Sequence, residues 1–240
     1  MESAKLETFL NVRRFSTLSV VLVSALSIVF ASWLGADSLN WQVAIAVAAL
    51  AVGIPHGALD HLVTLPKNKP LRMAIFIAIY IAVALIAIWA ILKWNVWGFI
   101  GVVLMSAIHF GIGDSAFIAE LDGLSQKTRH SSGTWAYALA AGFVPVIIPL
   151  INSRSTQALE KVNPVLVDWH HGYESELLIA MALISTIAIL ILLKNRQYRD
   201  LFDVASLIAL VSFAPPLVAF ATYFGCWHAM RHTAKIGRAH

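Results

Sequence analysis

Leu210-Val211-Ser212-Phe213-Ala214-Pro215-Pro216-Leu217-Val218 interrupts an apolar run that extends from Leu201 to Lys235. That run is too long for a single bilayer crossing, which takes about 20 residues. Proline lacks an amide donor and its ring clashes with the preceding turn. The pair therefore either kinks one long helix or turns the chain between two. The choice sets the helix count at seven or eight. It also decides on which side of a membrane everything after Pro216 lies.

Composition supplies the context. Of 240 residues, 59% are hydrophobic and only 12% are charged. The apolar residues come in runs near 20 long, so the chain reads as an all-α, polytopic transmembrane bundle formed as one domain over residues 1–235. Expected helices cover about 17–34, 41–62, 71–92, 96–113, 133–151, 174–193 and 201–214, with an eighth after Pro216. Polar loops are expected at 1–16, 63–70, 115–132 and 152–173. No cleavable leader is evident, because the run from Thr17 has no small-residue cleavage site after it. A lone cysteine, Cys226, excludes an internal disulfide framework. The net charge of +4 suits loops near anionic lipid and gives no indication of a nucleic-acid partner. Ile236-Gly237-Arg238-Ala239-His240 matches one reading frame of a common sequencing adapter. It is expected to be a non-native tail that replaces a native C-terminal segment, so His240 is left out of the site.

Charge chooses between kink and turn. With the N-terminus in the cytoplasm of a multi-pass cell (inner) membrane protein, the inside loops hold eleven Lys/Arg. The outside loops hold only Lys93, Arg154 and Lys161. The second and fourth helices then run inward, carrying His56 and His109 in their inner halves. A turn at Pro215-Pro216 makes the last helix run inward too. His228 then lies 12 residues past Pro216, His109 lies 13 past Val96, and His56 lies 15 past Trp41. At about 1.5 Å per residue these depths agree within a few ångström. A turn is therefore expected, with a short seventh helix at 201–214.

Cys226-Trp227-His228-Ala229-Met230-Arg231-His232 puts two imidazoles four residues apart, on one face of a helix. Such a pair can grip one metal ion. Ionisable groups within a bilayer are costly and usually functional. Four histidines at one depth, on three helices, point to a mononuclear metal held by His56, His109, His228 and His232. Imidazoles suit iron, copper or zinc, and residue types alone do not choose among them.

Asp60, His61 and Asp114 are candidates for supporting those ligands from behind. Asp60 shares the His56 face, whereas His61 points about 140° away and also reads as a helix-end residue. Asp114, five past His109, reads also as a loop or cap residue. Gly53, Gly57, Gly111 and Gly113 remove bulk near the histidines, for helix packing or a flat ligand. Phe110, Tyr223, Phe224 and Trp227 could line an apolar tunnel. His170-His171 are expected at the opposite membrane face.

Pro55-His56-Gly57-Ala58-Leu59-Asp60-His61, His109-Phe110-Gly111-Ile112-Gly113-Asp114 and Tyr223-Phe224-Gly225-Cys226-Trp227-His228-Ala229-Met230-Arg231-His232 resemble the Brp/Blh family of bacterial and archaeal membrane proteins. The three motifs occur in the family's order and span most of the chain. The resemblance implies cleavage of β-carotene by dioxygen at the central 15,15' double bond. Two all-trans-retinal molecules would result and serve as chromophore for a microbial rhodopsin. It also implies Fe(2+) on four histidines, which fall on His56, His109, His228 and His232. The other readings are a histidine-box desaturase or hydroxylase, a b-type haem electron carrier, and a metal or small-solute transporter. The first needs more histidines for two irons. The second needs axial histidines on facing helices. The third predicts inverted-repeat symmetry.

Overall fold

The chain at Pro215-Pro216 turns. In the computed structural model, which describes residues 2–30, 39–58 and 70–236, Ala214 and Pro215 are extended and separate two helices. Arg231, 16 residues beyond Pro215, donates to Asp203, 12 residues before it, at 3.3 Å. In one continuous helix those two residues would stand about 42 Å apart. The last helix therefore folds back along its predecessor, as the charge asymmetry required.

In chain order the helices are α1 (Glu2–Phe30), α2 (Leu39–Ala58), α3 (Pro70–Trp94), α4 (Val96–Leu124), α5 (Ser131–Ile151), α6 (Ser153–Val162), α7 (Glu174–Lys194), α8 (Tyr198–Phe213), α9 (Pro216–Ala221) and α10 (Met230–Ile236). A π-helical segment, Thr222–Ala229, joins α9 to α10, so the three form one continuous rod. No strand occurs among the described residues. Five helices there are long and apolar enough to cross a membrane: Ser3–Val29, Pro70–Trp94, Val96–Leu124, Ser131–Ile151 and Glu174–Lys194. The architecture is the all-α membrane bundle expected.

α5 sits at the centre and packs on α4, α7 and α8. Its run Ala136-Tyr137-Ala138-Leu139-Ala140-Ala141-Gly142 supplies small side chains for close approach. At the crossing with α4, a methyl on Gly111 would strike the Ala138 carbonyl, and one on Gly142 would strike the Ala107 carbonyl. The backbones meet there because neither residue has a side chain. α1 packs on α8 and the final rod, and α2 packs on α9 and the π segment. α3 buries no residue. It is apolar on every side, which suits a helix surrounded by lipid. Between α3 and α4 the chain reverses at Asn95, whose positive φ of 46° asparagine tolerates better than most residues.

Three expected loops differ. Residues 115–124 continue α4 for nearly three turns, because Asp114, Phe117, Ile118 and Leu121 recur on a buried face. Residues 2–16 form the first turns of α1, where Phe9, Arg13 and Ser16 make the same kind of face. Within 152–173 lies the amphipathic α6 and a 3-10 turn at Pro164–Leu166. Asn152 and Asn163 cap them by accepting from the amides of Arg154 and Val165. The expected extensions of the first helix to 34 and the second to 62 lie outside the described residues, as does the tail 237–240.

Candidate metal centre

Asp114 organises the site. It lies on α4, fully buried, and is a helical residue rather than the loop or cap residue that its charge suggested. Its Oδ2 accepts from the Tyr223 hydroxyl at 3.3 Å and the Trp227 indole N–H at 3.0 Å. Its Oδ1 accepts from His228 Nδ1 at 3.0 Å. A carboxylate is acceptor-only, so the bond fixes the proton of a neutral imidazole on Nδ1 and leaves Nε2 with a lone pair for a metal.

The π segment makes this convergence possible. In an α-helix Tyr223 and His228, five residues apart, diverge by about 140°. The i→i+5 repeat of the π segment brings them to one side. Trp227 and His228 then reach the same carboxylate together with Tyr223. Gly113 makes room for the His228 ring, since a methyl there would stand 3.0 Å from His228 Cε1.

Two further histidines flank His228, which is itself fully buried. The His109 ring lies 5.8 Å from it, centroid to centroid, and the His232 ring 6.0 Å. Phe110 packs on His228 at 4.4 Å, with Phe224 5.7 Å from Phe110. Of the expected ligands, the structure thus brings His109, His228 and His232 together. The side chain of His56 and all of Asp60 and His61 lie outside the described residues, as do the surroundings of Gly53 and Gly57.

No three such groups among the described residues close on a single point at ligand distance. Two imidazoles on one ion, with a metal–nitrogen distance of about 2.1 Å, place their centroids roughly 5 Å apart. The observed 5.8 and 6.0 Å exceed that by about 1 Å, a rotamer-scale adjustment. The donor set, the Nδ1 orientation of His228 and the space at Gly113 all fit a histidine-bound metal. The aromatics expected to line a tunnel have distinct placements. Tyr223 and Trp227 are fully buried behind His228, while Phe110 lies beside it and Phe224 packs near Phe110. His171 packs near Trp97, at the far end of α4, about 18 Å from His109 along the helix.

Sequence reasoning missed what lies behind Asp114. Arg231, between the two histidines in sequence, has no exposed surface. Its guanidinium stacks 3.4 Å from the Trp227 ring centroid. It donates to Tyr137, Ser16, Thr17 and Asp203. Asp203 also pairs with Arg13, Arg13 pairs with Asp200, and Asp200 is shared with Arg129, which holds Asp122. The signal was present: an arginine in an apolar run demands a buried carboxylate. Here it comes from Asp203, just inside the expected seventh helix.

Asp114→Asn keeps the shape but removes an acceptor that three donors use. Affinity for a metal ion at these histidines is expected to fall by about 10- to 100-fold. Competition against a chelator, followed by metal analysis, reads the affinity. Metal affinity equal to that of the unaltered chain would show that Asp114 does not orient His228.

A family model described as beta-carotene 15,15'-dioxygenase matches residues 47–239. A curated relative from uncultured marine bacterium 66A03, "Beta-carotene 15,15'-dioxygenase", is 30% identical over 195 residues. The alignment takes in 75% of this chain and 64% of that relative, so the chain spans less than two thirds of the relative's length. No solved structure matches.

Proposed function

The chain belongs to the beta-carotene 15,15'-dioxygenase family, and we propose that it cleaves β-carotene at its central 15,15' double bond with dioxygen. The metal would be one Fe(2+) held by His56, His109, His228 and His232. One observation carries the reading: a buried imidazole, oriented by Asp114, has two more imidazoles within about 6 Å of it, ring centre to ring centre. Ferrous iron, when bound, supplies the redox chemistry that dioxygen needs to react with a spin-paired polyene.

The C15=C15' bond breaks and each carbon gains one oxygen atom. Two all-trans-retinal molecules account for every atom of β-carotene and O2, so no external reductant is consumed. The chain need not transfer a proton. Its tasks are positioning and exclusion of water. Asp114 holds His228 in one tautomer and orientation, and Phe110 limits how that ring can turn. The bundle's apolar surface, with no residue of α3 buried, suits a substrate that arrives through lipid. The cation-rich loops favour an N-terminus on the cytoplasmic side of a cell membrane, and the retinal produced would serve a rhodopsin there.

The test is retinal, measured by chromatography, from a β-carotene-producing bacterial host that expresses this chain. Retinal should appear, with one iron per chain in the purified protein. His170→Ala should retain most of the activity, because that residue stands at the other end of the bundle. No retinal from folded, iron-loaded protein would overturn central cleavage. Two irons per chain would bring back the desaturase or hydroxylase reading.

A further inference from the structure

Two cavities adjoin at the cation-rich end of the bundle, on the opposite side of the Arg13–Asp200 pair from the histidines. The first, about 460 Å³, lies between α1, the end of α4 and the α7–α8 connection. Neutral polar groups on Ser125, Gln126, Thr128 and Asn195 line it, along with Asp122, Asp200 and four cations. The carboxylates are already committed: Asp122 pairs with Arg129, and Asp200 with Arg13 and Arg129. Lys127, Arg196 and Arg199 are not. All three are exposed, and none pairs with a carboxylate among the described residues. The cavity thus holds three uncompensated positive charges.

The second cavity, about 420 Å³, shares Leu10, Arg13, Tyr198 and Arg199 with the first and runs along the outer face of α1 and α8. Leu18 and Phe202 form its apolar wall, and both are largely exposed. A polar, cationic chamber thus opens into an apolar trough facing lipid. A ligand matching both has an anionic head and a hydrocarbon chain. A free anion would leave the trough empty, and a neutral apolar molecule would leave the cations unanswered.

We infer that this is a binding site for one anionic phospholipid of the adjoining leaflet. Its phosphate sits among Lys127, Arg196 and Arg199, and one acyl chain lies along Leu18 and Phe202. Basic pockets between helices at the cation-rich face are suited to such head groups. The inference does not rest on the iron site.

The test uses the full chain in neutral detergent, with lipid binding read by native mass spectrometry. Phosphatidylglycerol should bind at least tenfold more tightly than phosphatidylcholine of the same acyl chains. Dioleoyl phosphatidylglycerol should bind at least tenfold more tightly than the dihexanoyl form. Lys127→Gln with Arg196→Gln and Arg199→Gln should abolish the head-group preference. Arg199→Gln alone, at an exposed position, should weaken it with an unchanged melting curve. Equal binding of the two head groups, or a preference that survives the triple change, would overturn the site. Inorganic phosphate competing as well as the long-chain lipid would show a simple anion pocket and overturn the lipid assignment.

Discussion

On the proposed function, His228→Ala is expected to bring retinal formation below detection and to strip most of the iron from the purified chain. Three observations set the size of the effect. The ring is wholly buried, its Nδ1 is held by Asp114, and it is the one imidazole that neighbours both of the others. Its loss removes the ring that both His109 and His232 neighbour. It also leaves Asp114 with one fewer donor and opens a void beside Phe110. The void alone costs about 2–5 kcal/mol by comparison with other large-to-alanine changes, so a dead variant must be shown to be folded. Two readouts separate ligand loss from collapse. The melting curve in detergent should stay cooperative, and added imidazole should restore part of the iron and part of the turnover. His232→Ala should behave similarly with less destabilisation, since that ring is only partly buried. Normal turnover in either variant would remove the metal centre from these histidines.

The parts of this site legible in the sequence are those governed by local periodicity and depth. His109 and His228 fall at matched distances from their helix starts, and the structure sets their rings 5.8 Å apart. The i, i+4 pair likewise stays on one side of the final rod. Asp114 was harder to place because the expected geometry was α-helical throughout. Only the π segment turns Tyr223, Trp227 and His228 onto one carboxylate, and no residue in Thr222–Ala229 announces that widening. Helix ends were legible where apolar runs meet turn residues, as in α5 and α7. They were not legible at α1 and the end of α4. Polar residues there read as loop, yet their spacing gives a buried stripe and their charges find partners far away in sequence. Arg13 meets Asp200 and Asp203 across nearly 190 residues. Periodicity carries no information about such a pairing, which becomes visible only when the fold is closed.

Asp203→Ala tests how far that closure depends on one carboxylate, and it is expected to be the most destabilising single change outside the histidines. Asp203 Oδ2 stands 2.9 Å from Arg13 and 3.3 Å from Arg231, and Oδ1 accepts from Thr17 at 3.0 Å. Without it Arg13 keeps Asp200, but Arg231 keeps only the hydroxyls of Ser16, Thr17 and Tyr137. A buried arginine stripped of its carboxylate costs about 3–5 kcal/mol. For a chain of this size that lowers the melting temperature by roughly 10 °C. On the proposed function, the effect should reach the metal site as well. Arg231 stacks on Trp227, Trp227 donates to Asp114, and Asp114 orients His228. Removing both charges should do less harm than removing one, because the cost lies in the uncompensated guanidinium and not in the lost attraction. Asp203→Leu combined with Arg231→Met should therefore melt above Asp203→Leu alone, while on the proposed function metal affinity stays impaired. A double variant less stable than either single one would mean that Arg231 holds the rod chiefly through its hydroxyl partners, with the carboxylate secondary.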